Sequence, residues 1–285
     1  MTKLYVVGNP VEHSKSPQIH NYWLKKYNKN FSYEKLELSL ERDVFTKQKL
    51  NLIKKVKEGE IKGINITVPF KKSFTDVLDK IDISASLAGA INTIYRDGNK
   101  TVGGNADGLG FCNSLIEDFN FSIPKNIQIL GAGGATYGIL SEIIKYKPEV
   151  IYICNRTVSK AQKLVDHFKL SNISPNTIWE VHDLSFYPPS NIQLFINASY
   201  IGMKPEHKLD DYFRRISHDC FVYDINYNLK KTIFNEMGIN KGINFPKNVN
   251  GQYMLIRQAS ESFKKWFNIK LNKHDIDEAV NLLKV

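Results

Sequence analysis

The sequence predicts an α/β protein with two domains. Its 285 residues exceed the usual size of one compact domain, so two domains are expected. Segments with strand-like and helix-like patterns alternate along the whole chain, which is typical of layered α/β folds. A glycine-rich turn at Gly131 to Gly138 lies between a strand and a helix, and it predicts that the second domain is of the Rossmann type.

The first part of the chain contains signals for both kinds of element. Serine can cap a helix and proline is tolerated in its first turn, so Ser16 and Pro17 are expected to begin the first helix. Gly59 ends the second helix, and the turn Asp97–Asn99 joins two strands into a hairpin. The predicted elements are a strand at 3–7, a helix from 16, a strand at 31–38, a helix at 44–58, a strand at 61–68, and hairpin strands at 91–95 and 101–104.

The rest of the chain continues this alternation. A new apolar strand precedes the glycine-rich turn, and a helix follows the turn. The predicted elements are a helix at 107–119, a strand at 127–130, a helix at 135–145, and strands at 150–154, 192–197 and 221–225.

The composition is that of an ordinary globular protein. The 42% of hydrophobic and 24% of charged residues exclude wholesale disorder. No apolar stretch approaches the ~20 residues of a membrane helix, and the first residues lack the apolar core of a signal peptide. Cys112, Cys154 and Cys220 are isolated in sequence, which predicts buried free thiols in a reducing cytoplasm and no metal site.

The net charge of +10 raises the question of a nucleic-acid partner. The excess is spread along the chain, and lysine supplies 33 of the 39 basic residues. Arginine, whose planar fork grips phosphates in pairs of hydrogen bonds, supplies only 6. The charge therefore indicates a modest preference for anionic small molecules, and we expect no nucleic-acid partner.

The glycine-rich turn predicts a dinucleotide site. Gly131 permits a tight turn, while Gly133 and Gly134 let backbone N–H groups approach a pyrophosphate at the helix N-terminus. A strand-to-helix turn without a ligand is the alternative interpretation. The residues expected to bind the cofactor here are Gly131, Ala132, Gly133, Gly134 and Ala135.

The end of the next strand favours NADP over NAD. An NAD site usually places a carboxylate there for the ribose 2′-hydroxyl. This strand is instead followed by an amide, a guanidinium, a hydroxyl and an ammonium group, which suit a 2′-phosphate. These groups belong to Asn155, Arg156, Thr157 and Lys160. A helix start capped by Thr157 or Ser159, with solvated basic neighbours, is the alternative.

Five further polar clusters flank this turn. They are Gly8–Pro17, Asn65–Lys72, Gly89–Thr93, Gly104–Gly108 and Asn250–Ala259. Each alone is typical of a turn or a helix cap. Taken together in this order around a dinucleotide turn, they closely resemble the shikimate dehydrogenase family.

The resemblance implies a domain organisation and a reaction. It implies a substrate-binding domain at 1–105, completed by C-terminal helices at 250–285 that return to it, and an NADP-binding Rossmann domain at 106–249. Members of the family reduce 3-dehydroshikimate to shikimate with NADPH, a step towards chorismate and the aromatic amino acids. The expected partners are these small molecules, with no membrane partner.

The resemblance also implies roles for single residues. Lys71 and Asp107 match the proton-transfer pair, although Lys71 alone is typical of a surface charge and Asp107 of a helix cap. Side chains that match substrate-binding groups are Ser14, Ser16, Thr67, Asn92, Tyr227 and Gln258. Two more matches, at the nicotinamide site, are Gly251 and Met254, and core packing is the alternative for Met254.

Some positions depart from the usual family pattern. Ala106 replaces a threonine, Tyr200 is much bulkier than the usual residue, and Asn250 replaces an aspartate. The segment Asn228-Leu229 lacks a common proline. The sequence leaves open a quinate/shikimate dehydrogenase that uses NAD and a non-catalytic dinucleotide sensor. It also leaves open a monomer and a homodimer.

Overall fold

A computed structural model describes residues 2–187, 189–202, 210–227 and 232–283. The chain divides into two compact units. The first contains the residues up to Gly110 together with those from Ile256 onward, and the second contains Phe111–Leu255.

The first unit is built on a mixed six-stranded sheet in the order β2-β1-β3-β5-β6-β4. Strand β1 is parallel to β2 and β3, whereas β5 is antiparallel to both β3 and β6. Its elements are β1 Thr2–Gly8, α1 Ser16–Lys26, β2 Phe31–Glu37, α2 Arg42–Glu58, β3 Ile61–Ile66, β4 Lys80–Ile81, α3 Ile83–Ala88, β5 Thr93–Asp97 and β6 Lys100–Gly104. Helix α4 (Asp107–Asn113) follows and crosses into the second unit.

The core of the first unit lies between this sheet and its helices. Apolar side chains of β3 and β5, such as Ile64 and Ile94, are fully buried, as is Val56 of α2. β-Branched residues favour strands because their stiff side chains pack well on a pleated surface. Gly59 ends α2 in the left-handed conformation at φ +83°, as predicted.

The second unit contains a six-stranded sheet that is parallel throughout, in the order β12-β11-β10-β7-β8-β9. Its elements are β7 Asn126–Leu130, α5 Gly134–Ile143, β8 Val150–Cys154, α6 Val158–Ser171, β9 Ile178–His182, β10 Leu194–Asn197, α7 Asp210–Arg214, β11 Phe221–Asp224, α8 Ile233–Asn240 and β12 Asn248–Val249. This is the strand order of the dinucleotide-binding doubly wound fold, so the predicted Rossmann architecture is confirmed. Helix α9 (Gln252–Phe267) leads back into the first unit, where α10 (Lys273–Leu283) follows.

The central strands of this sheet are buried on both faces. Ile127, Ile129, Ile151 and Ile153 are fully inaccessible to solvent, as expected for parallel strands with helices on both sides. The three cysteines are buried and free, in agreement with the sequence interpretation. Within the described part of the chain, no helix combines the length and apolarity that a membrane crossing requires.

Some local predictions differ from the structure. Ser16 is not the cap: Lys15 occupies the N-cap position of α1, and its side chain makes no cap hydrogen bond. The helix expected at 107–119 is α-helical only to Asn113, and a π-helical turn at Ser114–Asp118 continues it. Strand β9 was not predicted, because its half-exposed edge position produces no continuous apolar run.

Candidate active site

Four of the polar clusters meet at one edge of the first sheet. Strands β1 and β3 are parallel neighbours in which Val7 pairs with Ile66, so both end at this edge. Strand β5 runs the other way and begins there with Thr93, which pairs with Gly104 at the end of β6. The loops after β1, β3 and β6 and the segment before β5 therefore come together, although up to about a hundred residues separate them along the chain.

The loops that follow β1 and β3 are in direct contact. The backbone N–H of Asn9 donates to the carbonyl of Val68 at 3.1 Å. A Cβ atom on Gly8 would lie 2.4 Å from Cγ2 of Thr67, so only glycine permits this approach. Farther along the β1 loop, the N–H of Ser16 donates to Oγ of Ser14 at 3.3 Å, and both serines are half-buried.

Lys71 is held in an ion pair. Its Nζ lies 2.6 Å from Oδ2 of Asp107, and the two side chains are 20% and 3% exposed. The carbonyl of Lys71 accepts the N–H of Ile91 at 2.7 Å. Its neighbour Phe70 is buried and stacks on Phe45 with ring centres 4.6 Å apart. A short 3-10 turn thus directs the ammonium group inward, so Lys71 is not an ordinary surface charge.

Two asparagines hold Asp107, one through its carboxylate and one through its backbone. Nδ2 of Asn92 donates to Oδ1 of Asp107 at 2.8 Å, so the lysine and the amide hold different carboxylate oxygens. Oδ1 of Asn92 accepts the backbone N–H of Ala106 at 2.8 Å. Oδ1 of Asn105 accepts the backbone N–H of Asp107 at 2.9 Å. Helix α4 begins at Asp107, and the side chain of this residue is buried. Its carboxylate therefore lies at the helix start, where negative charge is favourable.

A second polar network, centred on Asn65, was missed by sequence reasoning. Its Oδ1 accepts the hydroxyl of Tyr33 at 2.7 Å, and its Nδ2 donates to Oγ of Ser262 at 2.9 Å. Ser262 lies in α9, one turn after Gln258, whose carbonyl it bonds at 3.2 Å. Burial raises the pKa of Tyr33 well above its usual value, so this hydroxyl remains a neutral donor. The sequence signals for Asn65 were its position within a β-branched strand and its place at the start of the polar cluster Asn65–Lys72.

Gln258 also lies where helices α4 and α9 approach closely. A Cβ atom on Gly110 would lie 2.7 Å from the backbone nitrogen of Gln258. The structure therefore brings Lys71, Asp107 and Asn92 into direct contact, with Thr67 just before Lys71 in the β3 loop.

The glycine turn of the second unit follows β7. Gly131 has φ +107°, and a Cβ there would lie 2.5 Å from the carbonyl oxygen of Ala198, which follows β10. At Gly133 and Gly134 an added Cβ would meet nothing within 4 Å, so open space lies over the start of α5. The first N–H groups of a helix have no partner within it. The turn lies between β7 and β10, where the strand order reverses and dinucleotides bind in this fold.

The loop after β8 is tied to the glycine turn by Asn155. Its Oδ1 accepts the N–H of Ala132 at 3.2 Å, and its Nδ2 donates to the carbonyl of Thr157 at 2.8 Å. Thr157 is the N-cap residue of α6, yet its side chain makes no cap hydrogen bond. Arg156 and Lys160 are exposed beside it. Both cations can therefore reach an anion at this edge of the sheet.

Comparisons with known proteins identify the family of the chain. The family model of the shikimate dehydrogenase substrate binding domain matches residues 6–94, and that of shikimate / quinate 5-dehydrogenase matches residues 117–185. The shikimate dehydrogenase (NADP(+)) of Pelagibacter ubique is 37% identical over 98% of each chain. That of Bacillus subtilis is 36% identical over 93% of this chain and 92% of its own. The chain belongs to the shikimate dehydrogenase family.

A solved structure extends the agreement to the fold. A crystal structure of shikimate dehydrogenase in complex with NADP+ superposes with a TM-score of 0.85 at 30% identity, covering 99% of this chain and 95% of its own. The resemblance predicted from the motifs is therefore confirmed for the family and for the two-part α/β architecture.

The remaining residues matched to the family lie in the second unit. A Cβ on Gly251 would lie 2.0 Å from the carbonyl oxygen of Ile225, so this glycine permits close packing. Met254 is buried in the core, and its N–H donates to the hydroxyl of Tyr223 at 3.1 Å. Tyr227 is half-buried, and burial raises its pKa. The departure at Asn228-Leu229 lies outside the described residues.

Proposed function

We propose that this chain reduces 3-dehydroshikimate to shikimate with NADPH, the reaction that its family membership indicates. The observation that carries the proposal is the Lys71–Asp107 pair at 2.6 Å, with Asn92 on the second carboxylate oxygen. A buried carboxylate that holds an ammonium group in place suits proton transfer to a developing alkoxide. The curated relatives that carry the name shikimate dehydrogenase (NADP(+)) match nearly the whole chain.

The second unit fits the cofactor. Open space lies at Gly133 and Gly134 over a helix N-terminus, which favours a pyrophosphate. Exposed Arg156 and Lys160 follow β8, where an NAD site would place a carboxylate. When bound, NADPH supplies the hydride to the carbonyl carbon. We assign the 2′-phosphate to Arg156, Thr157 and Lys160, and Asn155 supports this loop through its bonds to Ala132 and Thr157.

Lys71 supplies the proton. Its ammonium group donates one proton to the ketone oxygen as that oxygen becomes the hydroxyl of shikimate. Asp107 orients the ammonium group and stabilises its charge between turnovers. Because Lys71 is 20% exposed, water can return the proton to it. One hydride and one proton thus convert the ketone into the alcohol.

The other matched side chains orient the substrate in this proposal. Ser14 and Ser16 donate to the carboxylate, and Tyr227 lies near it. Thr67, Asn92 and Gln258 bond the ring hydroxyls, with the second N–H of Asn92 serving this purpose while the first holds Asp107. A site built to bond hydroxyls discriminates strongly against analogues that lack them. We also place the protein in the cytoplasm, which the free buried cysteines support.

The test is an absorbance assay of NADPH oxidation by the purified chain. Four reactions pair 3-dehydroshikimate or 3-dehydroquinate with NADPH or NADH. We expect the highest kcat/KM for 3-dehydroshikimate with NADPH. Faster turnover of the quinate-type ketone with NADH would contradict both the substrate and the cofactor. Binding of NADPH without turnover of either ketone would contradict enzymatic activity and indicate a sensor.

A further inference from the structure

Tyr200 is a large aromatic residue that projects into solvent. It lies in the turn after β10, and it is 77% exposed. Single exposed apolar residues are common, but the position of such a residue in the fold can indicate a function. This one follows the carboxyl end of a central parallel strand, the edge at which ligands bind in doubly wound folds.

The backbone that carries Tyr200 is firmly held. Nδ2 of Asn197 donates to the carbonyl of Ile201 at 2.8 Å, and Oδ1 of Asn197 accepts the hydroxyl of Ser199 at 2.7 Å. Oγ of Ser199 in turn accepts the N–H of Ile201 at 3.0 Å, and Nδ2 of Asn226 donates to the carbonyl of Ser199 at 3.0 Å. These four bonds close the turn on both sides of Tyr200. Its ring is therefore presented by a preorganised backbone, which lowers the entropy lost when a ligand covers it.

This turn lies against the glycine turn of β7. A Cβ on Gly131 would be 2.5 Å from the carbonyl oxygen of Ala198 and 3.1 Å from Cβ of Ser199. The two turns thus form opposite sides of the point where the strand order reverses. A dinucleotide crosses this point with its two nucleoside halves on opposite sides. The cations after β8 place the adenosine half over β7 to β9, so the other half lies over β10 to β12.

We propose that Tyr200 packs against the nicotinamide nucleoside half of the bound dinucleotide. The inference rests on the proposed function, and it adds a contact that the usual smaller family residue does not provide. An aromatic face suits both the nicotinamide ring and the apolar face of the ribose. Covering the ring of Tyr200 would remove apolar surface from water at little conformational cost.

The experiment titrates two ligands into the wild-type protein and its variants by fluorescence and calorimetry. The ligands are NADPH and adenosine 2′,5′-bisphosphate, which lacks the nicotinamide nucleoside. The proteins are wild type, Tyr200→Ala and Tyr200→Phe. Phe245→Ala is a matched control, because Phe245 is 69% exposed in the same unit but precedes β12, at the opposite edge of the sheet.

We expect Tyr200→Ala to raise the Kd for NADPH about 5- to 10-fold and to leave the Kd for the bisphosphate unchanged. Tyr200→Phe retains the ring, so its Kd should stay within about twofold of wild type. Phe245→Ala should bind both ligands as wild type does. Thermal melts confirm folding, and Tyr200→Ser repeats the test with a polar side chain of small volume.

Three outcomes would overturn the inference. Unchanged NADPH affinity in Tyr200→Ala would show that the ring makes no contact that matters. An equal loss for both ligands would place its effect outside the nicotinamide half. An equal loss in Phe245→Ala would indicate a general effect on the unit. Failure of the wild-type protein to bind NADPH is a different result, and it would contradict the proposed function itself.

Discussion

The proposed sites of the two units consist of different chemical groups. In the first, side chains hold one another: Lys71 bonds Asp107, and Asn92 bonds the same carboxylate. In the second, the proposed cofactor site consists of backbone around the glycine turn and of exposed cations such as Arg156. The first site should therefore be sensitive to the loss of a polar atom. The second should be sensitive to an added carbon atom or a lost charge.

A large effect on catalysis should come from the carboxylate of the first unit. Asp107→Asn keeps the size of the side chain and removes the charge that orients Lys71. We expect kcat to fall about 100-fold or more, with an unchanged Kd for NADPH, because the cofactor groups are proposed in the other unit. Steady-state kinetics and a fluorescence titration on one preparation measure both. A kcat within twofold of wild type would mean that the pair is not part of the chemistry.

Alanine substitutions at two glycines of the same turn should have different effects, one on stability and the other on NADPH affinity. Gly131→Ala places a Cβ 2.5 Å from a carbonyl oxygen at φ +107°, so unfolding should require about 2–4 kcal/mol less free energy. Gly133→Ala meets nothing within 4 Å, so stability should change by less than about 0.5 kcal/mol. Its methyl group occupies the expected pyrophosphate position, and the Kd for NADPH should rise about tenfold. Denaturant unfolding and titration separate the two effects, and equal behaviour of the two variants would contradict this account of the turn.

The side chain of Arg156 should determine the preference for NADPH over NADH. Arg156→Ala removes a charged donor to the 2′-phosphate, so the Kd for NADPH should rise about 10- to 100-fold. NADH lacks that phosphate and should bind within about twofold of wild type. Lys163→Ala, an exposed cation farther along α6, is the control for a general loss of positive charge. Equal losses for NADPH and NADH would remove Arg156 from the phosphate site.

The smallest effect concerns the buried Asp224 at the end of β11. Burial raises its pKa from 3.8 to about 6, against hydrogen bonds that include those from Asn226 and Asn197. The folded state thus binds this proton more tightly than the unfolded chain does. With respect to this group, stability is highest below pH 4 and falls as the pH rises from about 4 to about 6.

Asp224→Asn removes that buried charge while keeping an acceptor for Asn197. We expect the variant to be about 1–2 kcal/mol more stable than wild type at pH 8, with the difference shrinking as the pH falls through 6 towards 4. Urea unfolding at several pH values measures this trend. A variant that is less stable at pH 8, or a difference independent of pH, would show that the buried charge of Asp224 does not destabilise the folded state.

The comparison also explains what the sequence could reveal. The glycine turn and the loop after β8 are local patterns, and the structure places them after the neighbouring strands β7 and β8, with the glycine turn at the switch point. In the first unit, the ion pair joins residues 36 apart, and the bond from Asn65 to Ser262 joins residues 197 apart. No local pattern encodes such pairs, so the family resemblance had to supply Lys71 and Asp107, and it left Asn65 and Ser262 unassigned.

The differences in detail have physical reasons. A serine at a helix start is a common cap, but Lys15 occupies the N-cap position of α1, so Ser16 already lies inside the helix and its N–H donates to Oγ of Ser14. Asn155 bonds the backbone of Ala132 and Thr157, and its predicted role in cofactor binding stays a prediction.

Lys71→Ala, compared with Lys72→Ala, tests the central claim most directly. The two lysines are neighbours, but Lys71 contacts the buried carboxylate of Asp107 whereas the side chain of Lys72 is exposed. With saturating 3-dehydroshikimate and NADPH, Lys71→Ala should lose about 10³-fold in kcat while Lys72→Ala keeps wild-type turnover. If both variants turn over equally fast, the ammonium group of Lys71 does not deliver the proton.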